Sequence, residues 1–458
     1  MLNFLGSRGV GGVFSASLLA LLASTGCSSS PAPATTSDAG PTETGGTTHP
    51  LPTGFGAAQT DAVNGEYFGY DLSLAADANG EPMLAYGWLS PSDKSKTALY
   101  FTRWDRTTGA FTAPVVIDAT VDSNIGTSQP LRETALARDA STGRLGVVYV
   151  VNDVATNPSN PPHRVFIKTS TDNGATWSSR TQLSQDGGDD HAQAGGPSIA
   201  MSGGKVYVAF VQDGQTVCDD SATDCGGGAG VWFLEGDGTN FASRTALSNA
   251  YGIQSSMLGL TSMALDGAGL PGLAWLSSPR TAYNRKALYW HHGDATVTKV
   301  FDSSNTQNDD PSVALGFAGS KPGVFATLST GSSDTGVHFA SAADGKTWGA
   351  PVAVPLNGQR DASYWTALTF DAKGAGYALT YTNGGPGGVD YCGSGAQLFT
   401  STDLTTWKGC GIDATKAYPN INGRFVQAYV GPDGKLVAAG LGSLGSADAD
   451  GIWVYRAP

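Results

Sequence analysis

The feature that most restricts how this chain can fold is a strand–turn–strand unit that recurs seven times. The units read DLSLAADANGEPMLAYGW (Asp71–Trp88), TALARDASTGRLGVVYVV (Thr134–Val151), SIAMSGGKVYVAFVQ (Ser198–Gln212) and SMALDGAGLPGLAWLS (Ser262–Ser277). They continue as SVALGFAGSKPGVFATLS (Ser312–Ser329), ALTFDAKGAGYALTYT (Ala367–Thr382) and QAYVGPDGKLVAAGLG (Gln427–Gly442). Each opens on an alternating strand, turns at a Gly-rich loop that in most units also holds Asp, and returns as an aliphatic and aromatic strand, the pattern of an antiparallel hairpin. One hairpin cannot bury its apolar faces alone, so a chain of such units must stack them on one another.

A second hairpin follows each unit. Its third strand and turn read VFIKTSTDNGATW (Val165–Trp177), VHFASAADGKTW (Val337–Trp348) and QLFTSTDLTTW (Gln397–Trp407), with weaker copies VWFLEGDGTNF (Val231–Phe241) and LYFTRWDRTTGAF (Leu99–Phe111). An Asp leads each turn (Asp105, Asp172, Asp237, Asp344, Asp403) and an aromatic ends it. Four strands per unit, with units roughly 50–64 residues apart, match the blades of a β-propeller. The last unit ends at its third strand, Gly451 to Arg456, while Phe55 to Val63 has the character of a fourth strand. The expectation is an all-β, seven-bladed β-propeller over residues 52–458, its N-terminal strand completing the last blade and removing an exposed edge. A six-bladed ring is the alternative, and it leaves one repeat unplaced.

The turn Ser170-Thr171-Asp172-Asn173-Gly174-Ala175-Thr176-Trp177 resembles the Asp-box (BNR repeat), the S-x-D-x-G-x-[TS]-W hairpin of the sialidase superfamily. Asp and Asn tolerate left-handed backbone, Gly supplies positive φ, and the hydroxyls bond nearby amides. Trp177 is expected to pack beneath the turn. Ser170, Asp172, Gly174, Thr176 and Trp177, with Asp344, Trp348, Asp403 and Trp407, therefore read as structural residues. The resemblance implies a six-bladed ring in true sialidases, three Arg that clamp a substrate carboxylate, a Tyr–Glu pair, and an Asp acid.

The residues just before each inner strand form the candidate site, because loops entering the innermost strands gather at one face of a propeller. They are Tyr70 and Asp71; Arg132 and Glu133; Gly195 and Gly196; Gly259 and Leu260; Asp309 and Asp310; Tyr364 and Trp365; and Arg424 through Gln427. Aromatic faces stack on sugar rings and planar polar groups pair with hydroxyls or carboxylates, so such a ring suits a glycan or small charged ligand. A solvated channel mouth is the plainer reading. For a sialidase, Arg132, Arg424 and Arg360 would clamp, Tyr364 or Tyr67 with Glu133 would form the nucleophilic pair, and Asp71 would be the acid. The nearest counterpart of the family's F-R-I-P motif is Pro130-Leu131-Arg132-Glu133, with the Pro on the other side.

The chain start has a short positive segment at Arg8 and an apolar run from Val10 to Ala23, too short to span a bilayer. Leu21-Leu22-Ala23-Ser24-Thr25-Gly26-Cys27 resembles a bacterial lipobox, with Ser24 where that motif prefers Leu. The expectation is a lipoprotein signal peptide over 1–26, lipidation at Cys27, and a Ser/Thr/Pro/Gly-rich tether over 27–51 too polar to order itself. A plain secretory signal peptide is the alternative. Either one implies export, to the periplasm-facing envelope or the cell surface, with a membrane contact through lipid.

Of five cysteines, Cys27 aside, Cys218 pairs with Cys225 and Cys392 with Cys410 as local disulfides, suited to an exported chain. A metal site built from them is the alternative. Net charge of −13 without a basic block disfavours nucleic acid. No cofactor is expected. Asp219, Asp220 and Asp224, or Asp448 and Asp450, could supply oxygen ligands to Ca²⁺. The chain reads as a monomer that binds a glycan or an envelope protein, with an exo-acting glycoside hydrolase as the alternative.

Overall fold

The computed structural model describes residues 49–60, 71–90, 93–119, 133–152, 163–185, 193–213, 230–247, 261–277, 287–293, 297–302, 312–327, 337–354, 362–382, 395–411, 424–442 and 451–458. Residues Thr47–Pro458 form a compact unit. Among the described residues there is strand and turn but no helix.

Seven antiparallel sheets are present, as the seven repeats require. Their first strands are Asp71–Ala76, Thr134–Arg138, Gln193–Ser202, Thr261–Leu265, Val313–Ala318, Ala362–Phe370 and Arg424–Val430, which number blades 1 to 7. Each of these inner strands abuts the next, and the seventh returns to the first, which closes the ring. Six sheets have four strands. Blade 1 has five, because both Ala110–Phe111 and Val115–Asp118 pair with Asp93–Asp105.

Blade 7 is completed from the other end of the chain. Gly54–Thr60 runs antiparallel to Gly451–Arg456, with Gly54 opposite Arg456 and Thr60 opposite Gly451. The strand expected over Phe55 to Val63 thus starts one residue earlier and is described as far as Thr60. Closing the ring in this way gives the third strand of blade 7 the partner it would otherwise lack.

The alternating pattern of each strand becomes inter-blade packing. Val148, Val150 and Ile167 of blade 2 meet Ile199, Val206 and Phe210 of blade 3; Ala314 and Phe325 of blade 5 meet Leu368 and Phe399 of blade 6. Trp275, Trp453, Tyr86, Tyr149 and Phe101 are fully buried. Each such side chain contributes about 1.5–3 kcal/mol or more by leaving water. The aromatic stripe is core, not a ligand box.

A polar clip locks blades 7 and 1 where the chain enters the ring. Glu81, only 1% exposed, accepts the Leu51 N–H at 3.0 Å and an Arg456 guanidinium N–H at 3.2 Å. Arg456 reaches Asp433 at 2.6 Å, Trp104 donates its indole N–H to the His49 carbonyl at 2.8 Å, and Leu51 sits in the shared core.

The connectivity sorts the loops onto two faces. Turns joining first to second strands and third to fourth strands lie on one face. The strand ends from which second strands lead to third strands, and at which each inner strand begins, lie on the other.

Candidate functional site: the head of the central channel

A cavity of about 310 Å³ lies at the ring's centre, lined by residues of all seven inner strands. Its polar lining is Ser73, Glu133, Thr134, Ser198, Thr261, Ser262, Ser312, Thr366 and Gln427; Leu74, Leu136, Met263 and Leu368 are among its apolar members. The lining falls on the head and middle of the inner strands, toward the face at which those strands begin.

Hydroxyl groups lace neighbouring blades together around this cavity. Ser73 Oγ of blade 1 accepts the Leu136 N–H of blade 2 at 2.8 Å, and Ser262 Oγ of blade 4 accepts the Leu315 N–H of blade 5 at 3.0 Å. Ser198 and Thr261 bond each other across blades 3 and 4 at 2.9 Å; Ser312 donates to Thr366 across blades 5 and 6 at 3.2 Å. Thr261 also donates to the Gly196 carbonyl. A neutral hydroxyl serves as both donor and acceptor, so each can hold a neighbouring blade and still offer a bond to a ligand.

Three inner strands carry a β-bulge at or just before their lining segment. The ladder slips between Gly195 and Ser198, between Ser363 and Thr366, and between Arg424 and Gln427. Bulges re-aim side chains and concentrate beside binding sites. The residues within the slips are Gly196-Pro197, Tyr364-Trp365 and Phe425-Val426. Pro197, which has no N–H to give to a ladder, fits the first of these.

Glu133 is positioned from the next blade. Its carboxylate accepts the Gly196 N–H, and a Cβ on Gly195 would fall inside the contact distance of the same carboxylate oxygen. Gly195 and Gly196 are therefore the residues that give this carboxylate its seat.

Of the candidate ring, the structure brings Glu133 and Gln427 into the cavity lining. Asp71 heads its strand opposite Gly87, Tyr364 and Trp365 lie at a bulge, and Arg424 opposes Leu441; for these four the backbone alone is described. Tyr70, Arg132, Asp309 and Asp310 lie outside the described residues, as do Tyr67, Gly259, Leu260 and Arg360. So do Cys27, Cys218, Cys225, Cys392, Asp219, Asp220, Asp224, Asp448 and Asp450; Cys410 opposes Leu398 in blade 6, its side chain undescribed. The hydroxyl ring was missed in the sequence. Its signal is there: Ser198, Ser262 and Ser312 open three of the repeats and Ser73 is the third residue of another, where a strand pattern alone calls for no Ser.

On the opposite face, the Ser170–Trp177 turn has the geometry its residues dictate. Asn173 and Gly174 have φ of 57° and 86°. Ser170 Oγ accepts the Gly174 N–H at 2.9 Å and donates to Asp172 at 2.7 Å; Asp172 accepts the Thr176 N–H at 2.9 Å and its hydroxyl at 2.5 Å. The Thr176 hydroxyl and amide, with Ser170, hold the Asp172 carboxyl at about 2. Trp177 packs edge-on to Phe101 of blade 1 at 5.5 Å. Asp344 and Asp403 cap their turns in the same manner, accepting Thr347 N–H at 2.6 Å and Thr406 N–H at 2.7 Å. Trp407 is buried against Phe339 at 4.8 Å, and Trp348 meets Trp290 at 5.4 Å. All three aspartates are committed to turns and lie apart from the cavity.

No family model matches the chain. No curated protein matches it either. Among solved structures, it is similar to Penicillium chrysogenum α-L-arabinanase bound to arabinobiose, at 11% identity and TM-score 0.49, covering 89% of this chain and 98% of that one. It is similar to a Hadza microbial sialidase at 12% identity and TM-score 0.45, covering 85% of this chain and 65% of the other. For Trypanosoma rangeli sialidase bound to the inhibitor DANA the values are 12% and 0.44, with coverage of 71% and 54%. The chain thus spans less than two thirds of the length of these two sialidases. The assignment as an all-β, seven-bladed propeller rests on the seven sheets and their cyclic order.

Proposed function

We propose that this protein is an exported, lipid-anchored, sialidase-like propeller that binds a glycan, or another ligand rich in hydrogen-bonding groups, at the head of its central channel in the cell envelope. The observation that supports this most is the cavity itself, to which every blade contributes and whose polar lining combines hydroxyls, one carboxylate and one amide. Concave sites with a few convergent polar groups over an apolar floor are the usual form of a small-ligand pocket. The resemblance of Cys27 and its preceding residues to a lipobox supports the anchor, and scaffolding of an envelope protein is the third role such a ring can play. Glycan-array binding by the purified protein, beside membrane association of the native chain and a Cys27→Ala variant, tests both parts. An empty array removes the glycan reading, and membrane association that survives Cys27→Ala removes the anchor.

An exo-acting glycoside hydrolase is the alternative, favoured by the Asp-box resemblance and by Glu133 at the channel head. It requires a catalytic acid and, for a sialidase, a cation cluster drawn from Arg132, Arg360 and Arg424. Turnover of a fluorogenic sialoside across about pH 4 to 8, the range in which a carboxylic acid catalyst works, with loss in Arg132→Ala, would establish it. Absence of turnover sinks it.

A further inference from the structure

In every blade the lining of the cavity ends at the same depth. Its last residue is Leu74, Leu136, Ile199, Met263, Leu315 or Leu368 in blades 1 to 6, and Ala428 in blade 7. In blades 1, 2, 4 and 6 that residue stands three positions before the Asp that leads the first turn (Asp77, Asp139, Asp266, Asp371), which sets the row at one level of the ring. The row is complete, with one apolar side chain from each blade. Leu136, Ile199, Leu315 and Leu368 are buried in the packing between blades. Leu74, Met263 and Ala428 are only partly buried and leave apolar surface at the cavity. Blades 7 and 1 are neighbours, and blade 4 lies across the ring from them.

In these three blades the residue one step nearer the head is polar, and it also lines the cavity: Ser73 before Leu74, Ser262 before Met263, Gln427 before Ala428. One strand step is about 3.3 Å. Ser73 and Ser262 accept the Leu136 and Leu315 N–H groups, which fixes each oxygen and leaves its O–H to donate. The cavity thus changes from hydrogen-bonding to apolar within one residue, at three points around the ring. A hydroxyl pushed down to the row would exchange water for carbon atoms, which is costly. An apolar group there displaces water that has few partners, which is favourable.

We propose, on the reading that the channel head is a ligand site, that its ligand is amphiphilic and enters apolar end first. That end seats on the row at Leu74, Met263 and Ala428, and the ligand's hydroxyls come level with Ser73, Ser262 and Gln427. A sugar that carries an alkyl or aryl substituent has this form; a free sugar does not.

The test is NMR of the purified protein labelled with carbon-13 at its methionine methyl groups. The probes are D-glucose, n-butyl β-D-glucoside and n-hexyl β-D-glucoside, each kept below the concentration at which it forms micelles. Met263 stands in the row, whereas Met83 and Met201 are buried between blades and serve as internal controls. The expected result is that the Met263 signal, assigned by its loss in Met263→Leu, moves with both alkyl glucosides and not with glucose. Calorimetry should show affinity rising about fourfold for each methylene the row buries. Met263→Gln, similar in length but polar, should flatten that dependence while melting near the native temperature. A Met263 signal that stays still with every probe overturns the inference, and so does an equal shift with glucose. Affinity independent of chain length, with channel-head binding still seen on a glycan array, removes the amphiphile and leaves the site standing. Loss on both counts removes the site as well.

Discussion

The carboxylate of Glu133, at the head of blade 2, is seated on the backbone of Gly195 in blade 3, where any Cβ would occupy the same space. The inter-blade contact and the candidate site are therefore one feature. Gly195→Ala should displace the Glu133 carboxylate from the Gly196 amide while leaving the sheet paired. The expected outcome is a modest loss of stability, about 1–3 kcal/mol for overpacking, with weakened ligand binding. Paired denaturation and ligand-binding measurements check it; unchanged binding would detach Glu133 from the site.

Gly174 faces the ring of Phe101 across blades 1 and 2, and its φ of 86° disfavours any side chain. Gly174→Ala should cost about 2–4 kcal/mol, combining left-handed backbone strain with a clash against a buried ring. The midpoint of chemical denaturation reports this, and Gly174→Ala combined with Phe101→Leu should recover part of the loss. No recovery would mean that backbone strain alone sets the cost.

Asp172 supplies a stability term with a definite pH window. Its carboxyl is held at about 2 in the folded protein, against an ordinary 3.8, by the Thr176 hydroxyl and amide and the Ser170 hydroxyl. A depressed folded value means the contribution is complete above 3.8 and is lost as pH falls from there through about 2. Asp344, also at about 2, shares the window, and Asp403 is held lower still, chiefly by the Thr406 N–H. Melting curves taken between about pH 5 and 2 should show a shallower fall in Asp172→Asn than in the native protein. Identical slopes would show that the turn carboxylate has no such linkage.

Glu81 and Arg456 close the ring, and both are almost wholly buried, at 1% and 9% side-chain exposure. Removing one charge strands the other, so Glu81→Gln should destabilise by about 3 kcal/mol, near the lower end for a broken buried pair because Asp433 still reaches Arg456. Glu81→Gln with Arg456→Met should be less damaging than the sum of the single changes. Additive losses would show that the clip is not a coupled unit.

The fold was legible because repetition makes a weak signal strong. One hairpin such as Ser262–Ser277 says little, whereas seven in register predict blades, and the unmatched strand at Gly451–Arg456 pointed to its N-terminal partner. The candidate site was legible only in part. Glu133 and Gln427 could be placed at the channel head by counting back from each turn. Thr261 and Thr366 could not be singled out, because a hydroxyl in a strand is unremarkable until the ring places it opposite another. The bulges at Ser363/Thr366 and Arg424/Gln427 were hidden for a related reason: a bulge is a property of two strands in register, and neither strand alone announces it.

The channel head, not the rim or the turn face, is the proposed ligand site. Its most direct test is a glycan array probed with the native protein and with a Ser198→Ala, Thr366→Val double variant that melts at a comparable temperature. Binding by the native protein that disappears in the double variant is the predicted result. Binding of equal strength and pattern in both would place the ligand elsewhere and contradict the account.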